Sequence, residues 1–553
     1  MTPAHSDARK LAETVVDRLL RADPFAGTGL GLREFDALVP DPSAAAEQEL
    51  ATDLAALGAQ AAELTAEDPA DAVTLDAVRA TCDRQQKILE LRSAEYTVAA
   101  LPMTGPPALF AVLARTVLVD AQASADYLTR VTASTEWIDA TTERLREGAA
   151  RGRFPVGSLV DDAIAWADRT LSDPTPPAVM APEPPPGWDD AAEWRQRLED
   201  VARDGIAPAV ARWRDQLREL RPQARPDDRA GVGSLPGGDA DYEAAIAVHT
   251  TLPFTAAELH QIGLDRVAEL EQRAIQLGAT IGLAGLDAVR RALRVSTSAL
   301  APEDALATAQ AAVRRAEERA AEMMPLPLPD PCAVSPMPQT VAESGMAPHY
   351  TRPKQDGSRP GTYWFNTFSA TAGTGWDLEA VAFHETVPGH HSQLARQQQL
   401  ADLPLLQQLS ITVHSEGWGL YAERLAGEFG LYSGTEAAIG SVYVEMHRAA
   451  RLVVDTGLHA LGWSRQQARD YLVEHVALAE GFLTAEIDRY IAWPGQALAY
   501  LVGQREILRL RERAEADLGS AFDLPAFNGA LLDHGNLPMP VLARVIENWV
   551  ADR

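Results

Sequence analysis

Apolar residues recur at intervals of three and four along most of this chain, and that period commits it to helices. In TAAELHQIGLDRVAELEQRAIQLG, the residues Leu259, Ile262, Val267, Leu270, Ala274 and Leu277 mark one face. Thr255 and Glu258 form a capping-box pair at its start, and Gly278 ends it. A second box pairs Ser464 with Gln467 at the head of SRQQARDYLVEHVAL. Ala, Leu, Glu and Arg, all strong helix formers, dominate the composition, so the fold class reads as mainly α. One segment departs from the pattern. RPGTYWFNTFSAT (359–371) is aromatic and β-branched, with Pro-Gly before it and AGTGWD after, and reads as a short strand near 361–368. Asp377 then suits the N-cap of the next helix.

With 553 residues, the chain is long enough for about three or four domains, or for one large helical body around a cleft. The clearest breaks are DPTPPAVMAPEPPPGWDD (173–190) and RPDDRAGVGSLPGGDADY (225–242), each a loop or a linker. No repeat of fixed period is present. We therefore divide the chain into a helical half over 1–230 and a chemistry-bearing half over 231–553, expected to form one continuous body.

The net charge is -29, from 49 basic and 78 acidic side chains, which disfavours nucleic acid and anionic membranes as partners. Two cysteines, Cys82 and Cys332, are too few for a disulfide framework or a cysteine-based zinc site. MTPAHSDARKLAETVVDRLLRADP reads as an amphipathic helix rather than a signal peptide. No run of about 18 apolar residues is present, so no membrane span is expected. The expected location is cytoplasmic.

The chemistry concentrates in VAFHETVPGHHSQ (381–393). It opens like the zinc-peptidase signature H-E-x-x-H, but Pro388 stands where the second His belongs, and His390 and His391 arrive late. On an ideal helix His390 would sit about 9 Å along from His384 and roughly 120° off its face, and His391 about 10.5 Å along. Neither could share a zinc ion with His384, whose ligands all lie about 2.0–2.2 Å from the metal. Pro388 lacks an amide proton and clashes with the preceding turn, and Gly389 tolerates unusual backbone angles. Together they would loop the chain out, restart the helix, and draw a late His back to His384.

A third ligand is expected from TVHSEGWGLYAERLAGEFG (412–430), where Gly417 and Gly419 stand close after Glu416 and let other groups approach. Glu423, on the same face, suits an outer partner that orients a ligand. Glu385, next to His384, is the candidate general base.

The segments HETVPGHHSQ, SEGWGLYAE, RLVVDTGLHALGW and RYIAWPGQALAYLVGQ resemble the bacterial family catalogued as domain of unknown function 885. That family is similar to all-helical zinc peptidases such as carboxypeptidase Taq, thimet oligopeptidase and angiotensin-converting enzyme. The resemblance is strong over about residues 240–510 and looser before them. It implies two helical halves around a deep channel, with a small β-sheet beside the metal helix. Those peptidases carry H-E-x-G-H, which favours His390 as second ligand with His391 the alternative. It also implies a tyrosine at the zinc site, carried over to Tyr500 with Tyr490 the alternative.

Other candidates support the site. The strand 362–366, with Tyr363 and Asn366, would take an extended substrate as an added strand, or is an ordinary core strand. On EMHRAARLVVDTGLHALGW (445–463), Arg451 would grip a substrate carboxylate or pair with Asp455. His349 and His414 are further candidates for the channel wall.

The expected function is a zinc-dependent metallohydrolase, a metallopeptidase acting on short peptides through metal-activated water. The metal ligands would be His384, His390 and Glu416, with one divalent ion, zinc by preference. The alternatives are a metal-dependent enzyme acting on a non-peptide metabolite, and a non-catalytic helical protein with a vestigial site.

Overall fold

Helix follows the apolar period closely. The computed structural model describes residues 6–296, 301–339, 342, 346–354, 359–367, 375–400 and 402–553. It divides into two units. The first comprises Met1–Thr65, Thr81–Ala244 and Leu458–Gln466, and the second Ala66–Ala80, Ala245–Gly457 and Gln467–Arg553. The division thus falls near residue 244 rather than 230, and two short segments cross it. Among the described residues no helix is long and apolar enough to cross a membrane.

In the first unit, the amphipathic N-terminal segment forms α1 (Asp7–Ala22), capped by Ser6, whose hydroxyl accepts the Arg9 amide. Its apolar face, including Leu11, Val15 and Leu20, is buried. The long α2 (Ala121–Ala150) and α3 (Ala207–Leu220) build a core rich in tryptophan, where Trp166 and Trp213 meet edge to face at 6.0 Å. The proline-rich 173–190 segment is neither a linker nor a bare loop. Val179 is buried in this core and its carbonyl accepts the Tyr127 hydroxyl at 2.7 Å. The 225–242 segment also belongs to this unit. Cys82 and Cys332 are free and buried.

The second unit carries α4 (Ala256–Thr280), α5 (Pro302–Glu318), α6 (Leu378–Glu385), α7 (His390–Gln399), α8 (Thr412–Glu428), α9 (Thr435–His459), α10 (Glu480–Ala492) and α11 (Ala499–Leu518). The capping box of α4 forms as read, with reciprocal bonds between Thr255 and Glu258. The segment after Ser464 is helical over Arg465–His475. Asp377 occupies the N-cap position of α6 but makes no side-chain capping bond there. Pro494 stands in the turn before a short 3-10 segment, Gln496–Leu498, so α11 begins beyond it at Ala499.

Three strands form one small sheet: β1 (Ala333–Pro336), β2 (His349–Thr351) and β3 (Thr362–Phe365), in the order β1-β3-β2. β3 pairs parallel with β1 and antiparallel with β2, placing Tyr363 opposite Val334 and Tyr350. The aromatic strand is shorter than expected, and Phe368 lies outside the described residues. Because β3 is central, both its edges are already paired, so no substrate strand adds to it.

Helices α8 and α11 cross at a glycine pair. A Cβ on Gly503 would sit 2.0 Å from the Val413 carbonyl oxygen, and one on Gly417 would sit 2.5 Å from the Gly503 Cα. Only glycine lets these backbones touch. Gly503→Ala is expected to force the helices apart at a cost of about 2–3 kcal/mol. The measurement is the fall in thermal midpoint against wild type.

Candidate metal centre

The interrupted motif folds as two helices joined by four residues. α6 stops at Glu385, α7 starts at His390, and Thr386–Gly389 form the connection, with a cis Val387–Pro388 bond. The Gly389 amide reaches the Phe383 carbonyl at 3.1 Å, six residues back, in place of a helical bond. A Cβ at position 389 would lie 1.9 Å from the His384 carbonyl oxygen, so no side chain fits. Trp418 fastens the loop from α8. Its indole N–H donates to the carbonyls of Pro388 and Gly389 at 3.0 and 3.1 Å. The result is that the His384 and His390 rings stand perpendicular, with centroids 4.8 Å apart.

Glu416 completes a group of three. One donor atom each from His384, His390 and Glu416 lies within 4.8 Å of the others. Glu416 Oε2 is 3.4 Å from His384 Nε2 and 3.8 Å from His390 Nε2. Ligands about 2.0–2.1 Å from a tetrahedral zinc stand roughly 3.3 Å apart, so this donor set fits such an ion with small adjustment. The glycines beside Glu416 have separate jobs. Gly417 admits the Gly503 backbone, and Gly419 admits the His384 ring, whose Cε1 would be 2.5 Å from a Cβ there.

The electrostatics call for a positive charge. Burial works to lower the His384 pKa, yet the carboxylates of Glu416 and Glu423 outweigh it and raise the value to about 10. Burial would likewise raise the Glu416 carboxyl, but the His384 and His390 imidazoles hold it well below its usual range. A bound cation would replace the proton in this cluster. His384 Nδ1 bonds Glu423 Oε1 at 2.8 Å, which turns Nε2 toward Glu416. Glu423 is thus an orienting partner rather than a member of the donor group. Glu423→Gln is expected to weaken zinc affinity by about 10- to 100-fold with the fold intact. Competition with a chromogenic chelator measures it.

His391 is not brought to this group. Its Nε2 lies 2.8 Å from the Asp330 carbonyl and its Nδ1 3.0 Å from the Tyr350 hydroxyl. The His384–His390–Glu416 group opens onto a cavity of about 790 Å³ lined by residues of the second unit. Glu385 lines it too, with Oε2 accepting the Tyr350 amide at 2.9 Å. Tyr363 lines the cavity with a buried hydroxyl that lacks a hydrogen-bond partner among the described residues. Asn366 faces it as well, while its amide donates to the Ala342 and Met346 carbonyls. His349 is a lining residue, whereas His414 sits in the core, accepting the Leu537 amide.

Of the two tyrosines, Tyr500 lines the cavity and Tyr490 does not. The Tyr490 hydroxyl donates to Glu486 at 2.7 Å and accepts from Arg451 Nε at 3.0 Å. Arg451 pairs with Glu486 at 2.8 Å rather than with Asp455, which accepts the Gly495 amide. The helical spacing of Arg451 and Asp455 made that pair the natural reading; α10 supplies a better-placed carboxylate. Sequence reasoning also missed Tyr350, which contacts both Glu385 and His391, and Trp418. The latter lies inside the SEGWG motif, where a buried indole needing an acceptor was the available signal.

The sequence matches the family "Bacterial protein of unknown function (DUF885)" over residues 24–546. The chain belongs to this family. A crystal structure of a "putative lipoprotein" from Colwellia psychrerythraea is similar at TM-score 0.89 and 25% identity, covering 99% of each chain. A "putative lipoprotein of unknown function" from Shewanella oneidensis shares the fold at TM-score 0.76 and 16% identity, covering 98% of this chain and 100% of its own. No curated protein matches.

Proposed function

We propose that this protein is a zinc-dependent metallohydrolase that cleaves short peptides, on an all-helical scaffold of the zinc-peptidase kind. The observation that carries the reading is the clustering of His384, His390 and Glu416 donor atoms within 4.8 Å, at the wall of a cavity that Glu385 shares. Zinc held by these three residues would supply Lewis acidity to a carbonyl and lower the pKa of water. Glu385, fixed by the Tyr350 amide, takes the proton from the attacking water and returns it to the leaving amine. Tyr500 donates its hydroxyl to the oxyanion. Burial keeps that hydroxyl neutral, raising its pKa with help from the Glu416 charge. Glu423 keeps His384 in one tautomer.

The expected site is cytoplasmic. The two similar structures are described as lipoproteins, so fractionation of cells is the check on location. The function is tested by elemental analysis after equimolar zinc, followed by a short-peptide library. One equivalent of zinc that is lost in His384→Ala, with peptide cleavage, supports the reading. Zinc without cleavage of any peptide would turn it toward a non-peptide substrate. No zinc in the wild type would leave a vestigial site and sink the proposal.

A further inference from the structure

Another part of the lining of the same cavity has the opposite electrostatic character. Arg448, Arg451 and Arg489 all line it, and the carboxylate among them is Glu486. Glu486 already accepts from Arg451, Arg489 and the Tyr490 hydroxyl. His447 adds no negative charge and stays neutral, since burial and Arg451 lower its pKa to about 3. So in a chain of net charge -29, three guanidinium groups here share one anion.

Two of these cations have capacity to spare. Arg451 is only 6% exposed, yet its Nη1 has no hydrogen-bond partner among the described residues. Arg448 Nε is likewise buried without one among those residues. A buried guanidinium N–H left unpaired is costly, and a bidentate carboxylate is the group that best satisfies it. Tyr500 stands between this wall and the metal centre. Its ring lies 4.5 Å from the Arg451 guanidinium carbon, and the Glu416 charge acts on its hydroxyl. One tyrosine side chain spans about one to two extended residues, at roughly 3.5 Å each. The lining also includes the apolar Val476, Leu478, Phe482 and Trp493, and the Phe482 ring meets that of His447, which neighbours Glu486, with centroids 6.1 Å apart.

We propose that Arg451, with Arg448, binds the free C-terminal carboxylate of a short peptide substrate, and that the apolar patch receives its last side chain. This rests on the peptidase reading and makes the enzyme an exopeptidase, cutting one or two residues from the carboxyl end. Arg451 and Arg448 are binding residues, and neither takes part in proton transfer.

The test uses the full chain carrying Glu385→Gln and calorimetric titration with an N-acetylated tripeptide ending in phenylalanine, as free acid and as C-terminal amide. The acid should bind roughly 30-fold tighter or more, the usual loss when one partner of a buried charge pair is removed. Adding Arg448→Gln or Arg451→Gln should bring that ratio toward one without changing amide affinity, a result that a purely structural role would not produce. Equal affinity for acid and amide overturns the proposal, as does no measurable binding of the acid at millimolar concentration. Succinate binding as tightly as the peptide acid overturns the peptide assignment. If wild type cleaves acid and amide equally, the peptidase stands and the carboxylate subsite falls. If the acid preference persists with no zinc bound and no cleavage, the subsite stands and the peptidase reading falls.

Discussion

Glu385→Gln is expected to keep one equivalent of zinc and to lose peptide hydrolysis by about 100- to 10,000-fold. The glutamine keeps the shape and still accepts the Tyr350 amide through its carbonyl oxygen, so the 2.9 Å contact that fixes residue 385 survives. What it cannot do is hold a proton in transit. The donor group of His384, His390 and Glu416 does not include Glu385, so metal content should be unchanged. Elemental analysis and steady-state kinetics on the same preparation separate the two effects. Full activity with zinc bound would remove Glu385 from the mechanism, and loss of zinc would move it into the ligand set.

Gly389→Ala should sharply weaken zinc binding while leaving the rest of the protein folded. A methyl group there would meet the His384 carbonyl oxygen at 1.9 Å and the Phe383 carbonyl oxygen at 2.4 Å. Both are backbone atoms at the end of α6, so no rotamer relieves the clash. The loop must open, and His390 moves away from His384. Losing the geometry of one ligand in three is expected to weaken affinity by roughly 100-fold or more. Gly434→Ala is the control, because a Cβ there meets nothing within 4 Å. Circular dichroism establishes that the helices persist, and chelator competition gives the affinity. Zinc bound as tightly as in wild type would show that the loop does not set the donor geometry.

The parts of the site that were legible are those that local chemistry encodes. Pro388 and Gly389 announce a break, and only a break lets imidazoles six residues apart meet. The glycines around Glu416 announce close approach, and the structure shows what approaches: a backbone at Gly417 and a ring at Gly419. The Thr255–Glu258 cap is likewise a short-range signal. The illegible parts depend on distant chain. Arg451 finds Glu486 on another helix, and no spacing rule points to a partner 35 residues away. β2 is three residues long, too short for an alternating pattern, so the pairing of both edges of β3 was invisible. Ala66–Ala80 and Leu458–Gln466 each join the unit opposite to their sequence neighbours, an exchange that no local composition marks.

The contact of Gly417 with Gly503 has a consequence for chemistry. Glu416 is adjacent to one glycine and Tyr500 is one turn from the other. With main chain against main chain, neither helix slides or rolls without a collision. The backbone positions that carry the carboxylate and the phenol are therefore held at a fixed separation. In the proposed peptidase, such a gauge would keep its length whatever side chains a substrate brought in, so tolerance for varied sequences would not loosen Glu416 and Tyr500.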